Sequence, residues 1–352
     1  MKKIFLLAVL PLALSACAIS FSSRTATTQA GDGGVFISPD TGTTWAQKVF
    51  VRQEAKGPVT ISGSNIGFFA FHPSTSDTFY VSTQQQGLWK TEDAGETWSP
   101  LGLTTGYVQG FTQDVANPAL MFAGFQNTIQ KSTDGGTTWT VVYTNQPGNA
   151  VTQVQLNPHN AQEVFATTNG GVLLKSDDEG VTWRILKIFQ NRVPKKLILL
   201  KNDPRIMFVV MADGIFRSND AGGQWNELMT EALRKADALP VNDFTFTDHT
   251  PSVMYVASTS GIVRSLDGGA SWQVVPTVIP PKTVPVNALA INPVDENELV
   301  FTAASTFYRS SDFGKTWQTF KNVGSARVYA VLAAHPRRPG MLLLGTVLPA
   351  KK

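Results

Sequence analysis

Seven aspartates recur in one local setting. Asp40, Asp93, Asp134, Asp178, Asp220, Asp267 and Asp312 each follow a Ser or Thr by two residues, precede a Gly by two and precede a Trp by five. Carboxylates in such numbers suggest calcium coordination or acid–base chemistry. Both need convergence on one point, and the successive gaps here are 53, 41, 44, 42, 47 and 45 residues. A group that recurs once per structural unit is spread around the units. Its local neighbours point to a turn instead. An Asp side chain caps backbone N–H groups, and the Gly that follows tolerates positive φ. Outside this pattern, Glu54, Asp213 and Asp243 are the carboxylates placed to approach a central cleft. Glycosidic cleavage would need two of them facing one bond, roughly 5–10 Å apart.

The elements that must carry these turns are short strands. In 151–187 the chain reads as strand (151–156), turn at Asn157-Pro-His-Asn160, strand (163–167), turn at Asn169-Gly-Gly171, strand (172–176), the Asp178 turn and strand (182–187). Comparable units begin near Gly67, Val108, Lys196, Val241 and Val286, with 114–118 the least regular turn. A repeat of about 45 residues is that of a four-stranded propeller blade. At the C-terminus, 327–334 and 341–347 supply two strands and no more. At the other end, 34–38 and 44–51 supply the missing pair. The expectation is all-β: a seven-bladed β-propeller, its last blade closed by strands from both termini, which removes exposed sheet edges. The tryptophans that end the turns, Trp45, Trp98, Trp139, Trp183, Trp225, Trp272 and Trp317, read as packing between blades. Trp89 lies in a strand and reads as core.

Composition agrees. Of 352 residues, 42% are hydrophobic and 16% charged, with 29 Gly and 20 Pro, a profile of strands and turns. Setting aside Lys2 and Lys3 leaves 27 basic against 26 acidic residues, a poor match to nucleic acid. One Cys and four His give no metal-ligand spacing, so no cofactor is expected. Residues 1–16 read as an export signal: a Lys pair, then an apolar run too short to span a bilayer. The span 17–33 is rich in Ser, Thr, Ala and Gly and reads as a tether, leaving 34–348 for the propeller.

Two resemblances refine this. Leu14-Ser-Ala-Cys17 resembles the lipobox of bacterial lipoproteins, which implies cleavage before Cys17 and acylation there. Ala18, where an Asp resembles an inner-membrane retention signal, leans towards the outer membrane of a Gram-negative envelope. The Ser/Thr-x-Asp-x-Gly-x-Thr-Trp pattern resembles the Asp-box, or BNR repeat, of sialidases, xyloglucan-cleaving glycosidases, the sortilin-type receptor domain and photosystem II assembly propellers. In those families the boxes lie away from the ligand face. The sialidase pattern is not met: Asn191-Arg-Val-Pro194 lacks the leading aromatic and lies mid-chain. Xyloglucan-cleaving enzymes resemble two joined rings, and the sortilin-type domain resembles ten blades with a cysteine-rich extension. Size, blade count and export resemble the assembly propellers.

Function is expected on the unequal links between blades. These are 52–66, Lys187–Lys196, Leu228–Pro240 (with a short helical turn) and Pro276–Pro285. They carry Arg52, Lys56, Lys187, Arg192, Lys195, Lys196, Arg234, Lys235 and Lys282, with Phe189, Leu233 and Ile279 as expected apolar spots. Gln84–Gln86 and Phe125–Asn127 add amides and an aromatic to that face. The expected function is a lipid-anchored, extracytoplasmic scaffold, a monomeric ring binding an envelope protein. The alternative is a carbohydrate-binding protein or glycoside hydrolase. A hydrolase would show a tight carboxylate pair at a channel mouth; a lectin would show exposed aromatics beside amides without that pair.

Overall fold

A computed structural model describes residues 31–190, 192–228, 230–247, 252–321 and 323–349. Cys17 and the expected signal segment lie outside them. Seven four-stranded antiparallel sheets form a ring. Blades 1 to 6 run in sequence over 66–100, 108–144, 151–188, 194–227, 241–275 and 286–320. Blade 7 takes its inner strands from Val328–Ala334 and Leu342–Val347 and its outer strands from Val35–Ser38 and Ala46–Gln47. Its closing register pairs Val35 with Gly345 and Ser38 with Leu342. This is the seven-bladed propeller, closed by both termini, that the repeat predicts.

The closure is reinforced by a buried cation. Arg327, 1% exposed, pairs with Asp32 at 3.0 Å and donates to the Gly63 carbonyl at 3.3 Å. It thus ties the entering chain, the last blade and the approach to blade 1. The core is not one mass but seven clusters, each between adjacent blades, and each includes one turn tryptophan. Trp98 joins Val35, Phe79 and Leu343 between blades 7 and 1. Trp225 joins Phe165, Leu197 and Met207 between blades 3 and 4. Trp45, Trp139, Trp183, Trp272 and Trp317 serve the other five.

The aspartate turns are capped as their chemistry requires. In the third, Ser132 Oγ donates to Asp134 at 2.8 Å and accepts from the Gly136 N–H at 2.9 Å, while Asp134 accepts from the Thr138 hydroxyl at 2.6 Å. These bonds, the Thr138 hydroxyl first, pull the Asp134 pKa down to about 2, and the same arrangement brings Asp178, Asp267 and Asp312 to about 2. The residue after each Asp is left-handed, at φ between 55° and 71°. Its N–H donates back to a carbonyl in or beside the first turn of its own blade, as Glu179 does to Gln162 at 2.9 Å. Cations from the preceding blade reach its carbonyl: Lys131 bonds Glu179 O at 3.0 Å and Arg264 bonds Phe313 O at 3.3 Å. The seven carboxylates are structural and distributed around the ring.

Three expectations need correction. The outer strand expected at 44–51 stops at Gln47. The link expected at 52–66 is largely a β-hairpin, Phe50–Glu54 with Gly57–Thr60. Phe189 and Leu233 are buried (3% and 0% exposed) rather than displayed. Phe189 packs on Phe216 and Trp225, at 5.1 and 5.5 Å between ring centroids, because its link turns back through Phe189 N–H to Gly171 O. Leu233 is the apolar side of the short helix Thr230–Lys235 and fills the cluster between blades 4 and 5. Among the described residues no helix is long and apolar enough to cross a membrane.

Candidate functional site

Antiparallel blades give the ring two faces. First-to-second strand turns and aspartate turns share one; blade-to-blade links and second-to-third strand turns share the other, here called the link face. Of the nine candidate cations of the link face, Lys195 lines the central cavity and the other eight divide into two groups. Five are engaged in ion pairs. Arg52 bonds Glu54 within the hairpin. Arg192 bonds Asp213 at 3.1 Å and Glu227 at 2.9 Å and stacks over Phe216 at 5.0 Å. Lys196 pairs with Asp243, Lys235 with Glu231, and Lys282 with Asp237, which joins two neighbouring links. Lys56, Lys187 and Arg234 are exposed with no ion pair among the described residues. Beside them the exposed apolar positions are Ile188, Val193 and Val278, at 53%, 52% and 55%, and Ile279 is half-buried.

The turn amides are largely committed to structure. Gln86 accepts from Ser64 at 2.6 Å and Gln84 from Asn65 at 3.2 Å; Asn127 donates to the Asn145 carbonyl at 2.8 Å. Trp89 is half-buried in the cluster between blades 7 and 1, consistent with a packing role.

The three candidate acids do not assemble. Glu54 is on the hairpin and Asp213 is paired with Arg192 on the link face. Of the three, only Asp243 lines the central cavity. Its Oδ1 accepts from Lys196 and from the Phe244 N–H at 2.8 Å, and its Oδ2 accepts from the Leu289 N–H at 2.9 Å. Asp243 therefore bonds blade 4 on one side and blade 6 on the other. Among the described residues that line the cavity it is the one carboxylate. The described residues contain no cluster of His, Cys, Asp and Glu able to hold a metal ion.

That cavity, about 1010 Å³, follows the seven first strands along the ring axis. Its phenylalanines lie in blades 1 and 2, while amides and aliphatic side chains occur in both halves, among them Gln109 and Gln113 in blade 2 and Leu197, Ile198 and Leu199 in blade 4. Blades 7, 1 and 2 contribute Val331, Leu332, Phe68, Phe69, Phe71 and Phe111; blades 3 to 6 contribute Gln153, Gln155, Lys195, Lys196, Asn242 and Asn287. Every first strand carries a bulge near its link-face end, at Gly67, Gln109, Thr152, Lys195, Asn242, Asn287 and Ala330. Bulges re-aim side chains. Here three of the bulged side chains reach the next blade: Lys195 to Val241 O at 2.8 Å, Asn242 to Val286 O at 3.0 Å and Asn287 to Tyr329 O at 3.3 Å. Partial burial lowers the Lys195 pKa, against the opposing charge of Asp243. Of this belt the sequence reading singled out only Lys195. Its signal was present in the repeated Pro240-Val-Asn242 and Pro285-Val-Asn287.

Comparisons with known proteins agree with the ring. The family model described as Sortilin, neurotensin receptor 3 (Sortilin-Vps10) matches residues 127–238. No curated protein sequence matches the chain. Among solved structures, YCF48 bound to a D1 peptide is similar, with a TM-score of 0.59, 17% identity and coverage of 81% of this chain and 94% of that one. YCF48 from Cyanidioschyzon merolae gives 0.61 and 13%, over 80% and 96% of the two chains. The GH74 xyloglucanase from Xanthomonas campestris gives 0.62 and 14%; this chain covers 56% of its length, with 87% of its own residues aligned. At these identities the likeness shows the fold, a propeller shared by binding proteins and glycosidases alike.

Proposed function

We propose that the chain is a non-catalytic binding or assembly scaffold, acting through protein contacts on its link face and held outside the cytoplasm by lipid on Cys17. One observation carries the choice against hydrolysis. Among the described residues, the one carboxylate lining the central cavity, Asp243, has both oxygens occupied in joining three blades. A glycosidase needs two carboxyl groups free to exchange protons or attack. The link face has what a contact surface needs: unequal loops on a rigid ring, exposed Ile188, Val193 and Val278, and cations that lack intramolecular ion partners. A ring of similar span binds a peptide in the YCF48 structure, which supports this class of ligand.

Val35, the first residue of the strand that follows the expected tether, lies at the link face. The partner proposed is an envelope protein close to the lipid surface, outer membrane included. The test is crosslinking of the full chain in living cells, followed by mass spectrometry. Lys56→Glu, Lys187→Glu and Arg234→Glu together should abolish recovery of a reproducible envelope partner, and Cys17→Ser should reduce it. Recovery unchanged by the triple reversal would remove the link face from the proposal.

A further inference from the structure

Beyond protein contacts, the link-face mouth of the central cavity has the parts of a saccharide site. Tyr107 lines it and is partly exposed. Its ring lies where blade 1 has no side chain: a Cβ on Gly67 would stand 2.6 Å from Tyr107 Cε2 and 2.8 Å from its hydroxyl. Glycine at that bulge is what lets the ring lie across the first strand. Around the same mouth, Gln153, Asn242 and Asn287 each donate their amide N–H to a backbone carbonyl: those of Gln109, Val286 and Tyr329. A carbonyl can only accept, so each NH₂ must face it and each side-chain oxygen must face away. Those oxygens bond nothing among the described residues. Gln109 has no side-chain hydrogen bond there either. Lys195 commits its ammonium to one carbonyl, Val241 O, and has two further N–H donors.

We infer that the link-face mouth of the channel binds an acidic saccharide, with Tyr107 as the stacking platform, the amide oxygens of Gln153, Asn242 and Asn287 as hydroxyl acceptors, and Lys195 as the partner of the sugar's carboxylate or phosphate. An aromatic face suits the apolar C–H face of a pyranose. Pre-oriented acceptors select hydroxyl donors, and their orientation is fixed by the neighbouring blade before ligand arrives. The charge of the lining favours an acidic sugar over a neutral one. Among the described residues of the lining, Asp243 is the one carboxylate and pairs with Lys196, which leaves Lys195 at the link-face mouth without an ion pair. An acidic peptide offers a carboxylate to the lysine and backbone N–H groups to the same acceptors, so a Glu-rich tripeptide is the discriminating probe.

The full chain, solubilised in detergent, is titrated calorimetrically with trigalacturonate, a hyaluronan tetrasaccharide and a hexose phosphate. At least one should bind, and the methyl ester of trigalacturonate should bind about tenfold more weakly than the free acid if that is the ligand. Tyr107→Ala, Gly67→Ala and Lys195→Met should each weaken binding about tenfold or more, whereas Tyr107→Phe should retain it. Thermal unfolding of each variant separates loss of the site from loss of the ring. Binding of a Glu-rich tripeptide as tight as that of the sugars would overturn the saccharide assignment. So would no binding by any of the three, or binding indifferent to Tyr107→Ala and Gly67→Ala.

Discussion

Two adjacent glycines in the third aspartate turn should respond differently to the same substitution. Gly135 has φ of 71° and open space around a would-be Cβ. Its equivalents in other blades are Gly268, at φ of 71°, and Thr41, Ala94, Glu179, Ala221 and Phe313, at φ between 55° and 59°. Gly135→Ala pays a left-handed penalty of about 1–2 kcal/mol, offset by about 0.4–1 kcal/mol from the less flexible unfolded chain. The net expectation is a loss of about 1 kcal/mol or less. Gly136 has φ of 88°, and a Cβ there would stand 2.6 Å from Leu101 Cγ and 2.8–2.9 Å from both its methyl carbons. Leu101 is 7% exposed and sits in the cluster between blades 1 and 2. Backbone strain of about 1–3 kcal/mol adds to overpacking of about 1–3 kcal/mol, so Gly136→Ala should cost about 2–5 kcal/mol. Urea unfolding followed by tryptophan fluorescence reads both, since the turn tryptophans lie in the interfaces being opened. Leu101→Ala in the Gly136→Ala background should recover at least about 1 kcal/mol as coupling between the two sites. Equal losses from Gly135→Ala and Gly136→Ala, or no coupling to Leu101, would refute the claim that the second glycine is required by close approach of the neighbouring blade.

The remaining expectations concern charge. Because Asp134, Asp178, Asp267 and Asp312 have folded pKa values of about 2, below the ordinary 3.8, their contribution is complete above about pH 4 and lost as pH falls towards 2. Replacing Asp178 by Asn should lower stability at neutral pH and flatten the acid limb of a stability–pH curve; an unchanged limb would contradict the capping assignment. Arg327→Met leaves Asp32 without its buried partner at the ring closure and should cost about 3 kcal/mol, measured by urea unfolding. Lys56→Glu, Lys187→Glu and Arg234→Glu should each shift stability by less than about 0.5 kcal/mol, whereas Arg192→Glu, which gathers three carboxylates, should cost about 1–3 kcal/mol. A thermal shift series across these four variants distinguishes the displayed cations from the structural ones.

The ring was legible because its specification is local and repeated. Ser132, Asp134, Gly136 and Thr138 satisfy one another within a single turn, so their spacing alone reports the geometry. The strand count at 327–347 and 34–51 then gave closure by arithmetic. The links were less legible because a link's residues take their roles from elements remote in sequence. Arg192 looks like a displayed cation until Asp213 and Glu227 are brought beside it, and Phe189 looks displayed until Phe216 and Trp225 enclose it. Asp243 was singled out as a possible acid, yet its partners lie 46 and 47 residues away on the flanking blades.

The bulges show why symmetry and function occupy different residues of the same strands. All seven first strands carry the extra residue, so the bulge belongs to the fold. What occupies it differs: Gly67 and Ala330 on one side of the mouth, Lys195, Asn242 and Asn287 on the other. Were the bulge residues only structural ties, the tie would be expected in every blade. Gly67 and Ala330 cannot make it, and blade 7 is held to blade 1 instead by Arg327 and by His335, whose imidazole Nε2 bonds Ser76 O at 2.9 Å. Moving the closure into buried side chains frees the bulge of blade 7 from that duty, and in blade 1 the space left at Gly67 is filled by the Tyr107 ring of blade 2. The departure from sevenfold regularity therefore falls where an aromatic platform faces an amide belt, and this asymmetry is the strongest structural reason to look for a ligand at the mouth.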